Sequence, residues 1–231
     1  MRLHDKFLED NCERCKLKSL SDNCGTFFRN ILQSPTIPES VYESHYLCDF
    51  CQDLVSFNSI HTCQFKEKGL RLNTGGWATY GSKKVLRTLR WKKSPYYYPL
   101  RNLLRKELGQ LIQSDNSIIV PVPIGSNSTK NCWEALFEFL KQNDNYNVVS
   151  AIKRNKERST RKSVLQDRLK IASKEYYIDQ LYVEDILGRD VLIIDDNVTT
   201  GTTLCHCAEL IRSASPRTIT LYSIERFIPS R

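Results

Sequence analysis

Asp195 and Asp196 stand side by side after the unbroken aliphatic run Val191-Leu-Ile-Ile194. Thr199-Thr-Gly-Thr-Thr203 follows after Asn197-Val198, and a helix is predicted from near Leu204. Five small residues at a helix start present a row of backbone N–H groups and up to four hydroxyls. The helix terminus adds about half a positive charge. That combination makes a cup for one phosphate, held by dipoles because the loop contains no lysine. The glycine spacing is also not that of a nucleotide P-loop. Two adjacent carboxylates cannot bind the phosphate. They suit the 2′- and 3′-hydroxyls of a ribose whose 5′-phosphate fills the cup.

The elements that must position these residues follow from pattern. A short run of β-branched and aliphatic residues reads as a parallel strand buried on both faces, and an open α/β sheet binds ligands beyond the carboxyl ends of such strands. Acidic residues also cap helices. Two acids followed by a five-residue loop of small side chains exceed what capping requires.

At these residues the chain resembles the type I phosphoribosyltransferase signature, a hydrophobic strand followed by D-D-x-x-x-T-G-x-T. Asp195, Asp196, Thr200, Gly201 and Thr203 match its fixed positions. The resemblance implies a doubly wound, mainly parallel α/β fold. It also implies binding of 5-phosphoribosyl-1-pyrophosphate, with Asp195 and Asp196 on the ribose and Thr199, Thr200, Gly201, Thr202 and Thr203 on the 5′-phosphate.

The chain has 231 residues, 40% of them apolar, enough for one α/β domain with a small appendage. No apolar run approaches the ~18 residues that span a bilayer, and Met1-Arg-Leu-His-Asp-Lys6 lacks the apolar core of a signal peptide. The expectation is a cytoplasmic, reducing location with no membrane insertion. The formal net charge of +8 is uneven. Residues 1–70 hold 8 Lys/Arg against 10 Asp/Glu, and residues 71–231 hold 26 against 16. The basic part should meet the anionic ligand.

In a reducing compartment nine cysteines point to metal or core thiols rather than disulfides. Cys12-Glu-Arg-Cys15 and Cys48-Asp-Phe-Cys51 are C-x-x-C knuckles, each able to turn two sulfurs toward one side of a tetrahedral zinc. Cys24, His61 and Cys63 could replace a ligand. Buried free thiols are the alternative. Structural zinc would staple residues 1–70 into a small N-terminal region, with residues 71–231 forming the main domain and a boundary in the polar stretch near Gly75-Gly76. Cys205-His206-Cys207 lies on the helix after the loop, where i and i+2 diverge, and is expected to be packing.

From Tyr80 leucines recur at helical spacing through Leu111, with Pro95 to Pro99 separating two helices. Lys92, Lys93, Tyr96, Tyr97 and Tyr98 interleave cations with stackable rings, as single-stranded DNA or RNA binding requires. A solvated basic face with aromatics plugging a turn explains them equally. Ser117 to Ile124 reads as a strand ended by Pro121 and Pro123. A helix follows near Cys132–Gln142, with strands at Asn147–Ile152 and Thr218–Ile224. Residues 153–170 hold eight cations against two acids. Their first half, with Lys153, Arg154, Lys156, Arg158 and Arg161, is expected as a loop that forms either a lid over pyrophosphate or a solvated basic face.

In overall order the chain is similar to the ComF family of competence proteins. The shared features are two zinc knuckles, a Lys-rich helix after Tyr80-Gly81, Pro121-Val-Pro123, a basic segment ending Gln166-Asp-Arg168-Leu169, and the acid pair with its threonine-glycine loop. Where that family carries Arg-Gly-Phe-Asn-Gln, this chain has Lys130-Asn-Cys-Trp-Glu134. The resemblances imply a phosphoribosyltransferase that uses Mg²⁺ with its donor and acts on a nucleobase-like acceptor. They also leave open a non-catalytic DNA-uptake or DNA-binding module, and a ligand-sensing effector within a protein complex.

Overall fold

The computed structural model describes residues 45–47, 54–56, 63–74, 78–80, 97–112, 114–123, 137–142, 146–155 and 175–228. Nine strands are present among them: β1 (His45–Leu47), β2 (Leu54–Ser56), β3 (Leu72–Thr74), β4 (Ala78–Tyr80), β5 (Ser117–Pro121), β6 (Ile152–Arg154), β7 (Tyr176–Ile178), β8 (Asp190–Val198) and β9 (Thr218–Ile228). The helices are α1 (Gln64–Glu67), α2 (Tyr97–Leu111), α3 (Val183–Ile186) and α4 (Thr202–Arg212). Residues 137–141 are also helical.

β8 is the centre of a parallel sheet, with β5 on one side and β9 on the other. β3 and β4 lie one after the other along the far edge of β9, also parallel to it. A parallel bridge from Ile119 to Val148 extends the sheet beyond β5. Successive side chains of a strand point to opposite faces, so the unbroken run Val191–Ile194 makes β8 hydrophobic on both. Val191 and Ile193 enter one core with Leu204, Cys205, Cys207, Ala208 and Ile211 of α4. Leu192 and Ile194 enter the other with Leu104 and Leu108 of α2, Phe139 and Leu140. A mainly parallel sheet with helices on both faces is therefore present, as the aliphatic run at 191–194 implies.

Several boundaries differ from expectation. β8 does not stop at Ile194 but carries both aspartates and runs to Val198, because β9 continues beside it to Val198↔Arg226. The expected strand at 147–152 divides. Val148 makes the bridge to β5, and β6 then pairs antiparallel with β7. Cys63, Phe65, Leu70 and Leu72 are buried in the same core as α4. The stretch near Gly75-Gly76 falls between two strands that pair with the same edge of β9.

At the opposite end of the sheet from the acid pair, Asp190 ties the start of β8 to its neighbours. Arg217 donates two hydrogen bonds to its carboxylate, Thr218 Oγ1 donates one at 2.7 Å, and Ser114 Oγ donates one at 3.0 Å. These donors hold the Asp190 carboxyl well below the usual carboxylate range.

Candidate functional site

The site begins where the β5–β8 ladder ends. The β5–β8 ladder ends at Pro121↔Ile194, with one further bond from Val122 N to Ile194 O at 2.9 Å. β8 leaves β5 one residue before Asp195, while β9 still supports it; the N–H that Pro121 lacks would have faced the other edge of β5, where Ile119 N donates to Asn147 O. The acid pair thus sits where one neighbour has ended and the other continues.

Both carboxyls are partly buried. Asp195 Oδ1 accepts from the Asp196 N–H at 2.8 Å, which turns its side chain toward its neighbour. Burial, and then the adjacent Asp196 charge, push the Asp195 carboxyl well above its ordinary value. Behind it lies Cys207 of α4, whose thiol is itself pushed up by burial and by the charge of Asp195. The pair is therefore costly to hold fully ionised, and donors or a cation brought to it lower that cost.

The loop carries the chain from β8 to α4. Gly201 adopts φ +77 and ψ 0, the left-handed region that a residue with a Cβ enters only with strain. It is also the N-cap of α4, and it supplies no side-chain oxygen to the first turn. Helix geometry leaves the first N–H groups without an intrahelical acceptor. The first helical bond runs from Cys205 N to Gly201 O at 2.9 Å. Among the described residues no acceptor takes the N–H groups of Gly201, Thr202, Thr203 or Leu204. Thr200 Oγ1 and Thr202 Oγ1 lie 3.1 Å apart, so their hydroxyls face the same place. Because α4 starts at Thr202 rather than near Leu204, the last two threonines of the loop belong to the helix's first turn.

Residues 141–224 match the family model described as the phosphoribosyl transferase domain. The matched span includes β6, β7, β8, the loop, α4 and most of β9. No curated protein matches the chain. Among solved structures, it is similar to a hypoxanthine phosphoribosyltransferase from Staphylococcus aureus in its orthorhombic crystal form. Identity is 17% and the TM-score is 0.39, over 65% of this chain and 77% of that one. The tetragonal form gives 16% identity and a TM-score of 0.35, over 65% and 76%.

Asp195, Asp196 and Thr199 to Thr203 are contiguous around the β8–α4 junction. Lys153 and Arg154 are not loop residues but form part of β6, and their charges are already engaged. Arg154 makes an ion pair with the buried Glu175 and lies over the Tyr176 ring. Lys153 Nζ lies 3.8 Å from Asp179 Oδ2 and 5.4 Å from the centre of the Tyr182 ring. Lys156, Arg158 and Arg161 lie outside the described residues, as do Cys12, Cys15, Cys24, Cys48, Cys51, His61, Lys92, Lys93 and Tyr96. Tyr97 and Tyr98 open α2. Cys63, Cys205 and Cys207 are buried thiols, and no three His, Cys, Asp or Glu side chains among the described residues converge on a metal position.

Two residues at the loop carried no chemical signal in the sequence. Phe65, wholly buried, packs its ring directly beneath Gly201, where an added Cβ would overlap its Cε2 and Cζ atoms. Gln64 Nε2 donates to Thr200 O at 2.7 Å. Both come from α1, 136 residues earlier in the chain for Gln64 and Thr200. A lone aromatic in a polar stretch is the only trace of this in the sequence.

Proposed function

We propose that the chain binds 5-phosphoribosyl-1-pyrophosphate and transfers its phosphoribosyl group to a nucleobase-like acceptor. The single observation carrying this is the β8–α4 junction. An acid pair is followed, after Asn197 to Thr200, by a glycine-capped helix whose first N–H groups have no described acceptor, all within the span matched to the phosphoribosyl transferase domain.

In this reading, the N–H groups of Gly201 to Thr203 and the Thr200 and Thr202 hydroxyls hold the 5′-phosphate. Asp195 and Asp196 accept hydrogen bonds from the ribose hydroxyls. Fixing the sugar at both ends orients C1 for displacement of pyrophosphate, and the negative field of the acid pair favours the positive charge that grows on the ring. Donor binding displaces the proton that burial favours on Asp195, so affinity rises with pH.

Two adjacent carboxylates are a hard-oxygen donor set suited to Mg²⁺, and among the described residues no third such side chain converges with them. The ion would therefore be completed by ligand and water oxygens. When bound, Mg²⁺ supplies charge neutralisation to the departing pyrophosphate.

Calorimetric titration with the phosphoribosyl donor and Mg²⁺ tests the binding, comparing wild type with the Asp195→Asn/Asp196→Asn double variant. The expected result is loss of most of the affinity in the variant. Equal affinity would show that the carboxylates do not touch the sugar. Pyrophosphate release across a panel of nucleobases then tests transfer, and donor binding without turnover on any base would reject the enzymatic half of the proposal.

A further inference from the structure

We infer that Gln64 is a positioning residue for the phosphate-binding loop, with Phe65 as the floor it works against. The inference rests on the reading of that loop as the 5′-phosphate site, and extends the site to α1, which lies outside the 141–224 span.

In a trans peptide the C=O and the following N–H point in opposite directions. No cis peptide is present among the described residues. The peptide joining Thr200 to Gly201 has its carbonyl held at 2.7 Å by Gln64 Nε2. That bond turns the Gly201 N–H away from α1. A glycine with φ +77 rotates more freely than any other residue, so this peptide is the loop's least constrained unit. Phe65 limits the rotation from below, since its ring leaves no room for even a methyl group at Gly201. Without Gln64 the peptide can turn over and present its carbonyl oxygen, which would repel a phosphate.

α1 is anchored well enough to serve as a fixed reference. Lys68 pairs with Glu209 on α4. Arg212, at the far end of α4, donates to the Lys68 carbonyl at 3.1 Å. Cys63, Phe65 and Leu70 are buried against the same helix in one core. Gln64 is therefore delivered to the loop by a segment locked to the helix that the loop begins.

The test uses the full chain and three probes: ribose 5-phosphate, the phosphoribosyl donor and inorganic pyrophosphate. Gln64→Met keeps the length and removes the donor. It should weaken both ligands that carry a 5′-phosphate by roughly threefold to tenfold, the range for one hydrogen bond. Pyrophosphate affinity should hold, and the thermal midpoint should move by less than about 4 °C. Gln64→Glu supplies a second check. As a carboxylate it cannot donate, and as a carboxylic acid it can, so its affinity relative to wild type should recover as pH falls. Unchanged affinity in Gln64→Met, with wild type binding normally, would overturn the inference and leave the proposed function standing. Equal losses for all three probes with a large fall in thermal midpoint would assign Gln64 to folding and overturn it too. Failure of wild type to bind either phosphoribosyl ligand would overturn both.

Discussion

Raising the pH from 5 to 8 should destabilise this protein through one partly buried acid, and Glu107→Gln should remove that sensitivity. Glu107 lies on α2 and accepts a 2.6 Å hydrogen bond from Tyr222 Oη, whose ring is buried beneath the sheet. Burial pushes the Glu107 carboxyl from its ordinary 4.5 to about 7, and the Tyr222 bond only partly opposes this. The folded chain therefore holds a proton between these two values that the unfolded chain has released. Its contribution is fully present below pH 4.5, falls as pH rises toward 7, and is constant above that. At ~1.4 kcal/mol per tenfold change in proton affinity, the gap bounds the effect at about 3 kcal/mol. For a chain of this size that corresponds to roughly 6–12 °C in thermal midpoint. Gln at this position stays neutral and still accepts from Tyr222. Chemical denaturation of wild type and Glu107→Gln at half-unit pH steps isolates the effect, because His206, Asp190 and Asp195 titrate alike in both. Wild type should lose ground to the variant across the window. Parallel profiles, within about 0.5 kcal/mol, would show that Glu107 is already ionised in the fold and that the reasoning from burial is wrong.

Other outcomes follow from the same geometry. Gly201→Ala should cost about 2 kcal/mol or more, because it combines left-handed strain with overlap on Phe65, and should weaken ribose 5-phosphate binding; a thermal midpoint unchanged from wild type would contradict the loop conformation. Arg154→Leu should destabilise by about 3 kcal/mol, since it strands the buried Glu175 carboxylate, while donor affinity stays near wild type. A large affinity loss with little change in stability would restore Arg154 to a direct role in binding. If Cys12, Cys15, Cys48 and Cys51 form the expected site, the purified chain carries about one zinc, which Cys48→Ser abolishes; undiminished zinc in that variant would exclude the four-thiolate arrangement.

The legible part of this protein is the part whose physics is local. Val191 to Ile194 declare a strand buried on both faces because no polar residue interrupts them, and Leu192 and Val191 do enter opposite cores. Thr199 to Thr203 announce a strand-to-helix turn through residue type alone. The prolines at 121 and 123 mark the end of β5 before any partner is known. Length and pairing were less accessible. β8 extends through both aspartates because β9 supports them, and nothing within 190–198 encodes how far a strand 20 or more residues away will run. Lys153 and Arg154 look like loop cations in the sequence, since their partners, Asp179 and Tyr182 for Lys153 and Glu175 and Tyr176 for Arg154, lie on and around β7, beyond a long intervening segment.

The types and spacing of residues 191–203 alone point to a place for an anion and a sugar-like diol, because acids, small residues and a helix start carry that chemistry. Only the tertiary structure decided what holds the place rigid. Gln64 and Phe65 reach the loop through packing across most of the chain, and such contacts depend on where the folded core puts α1, which no short stretch of sequence specifies.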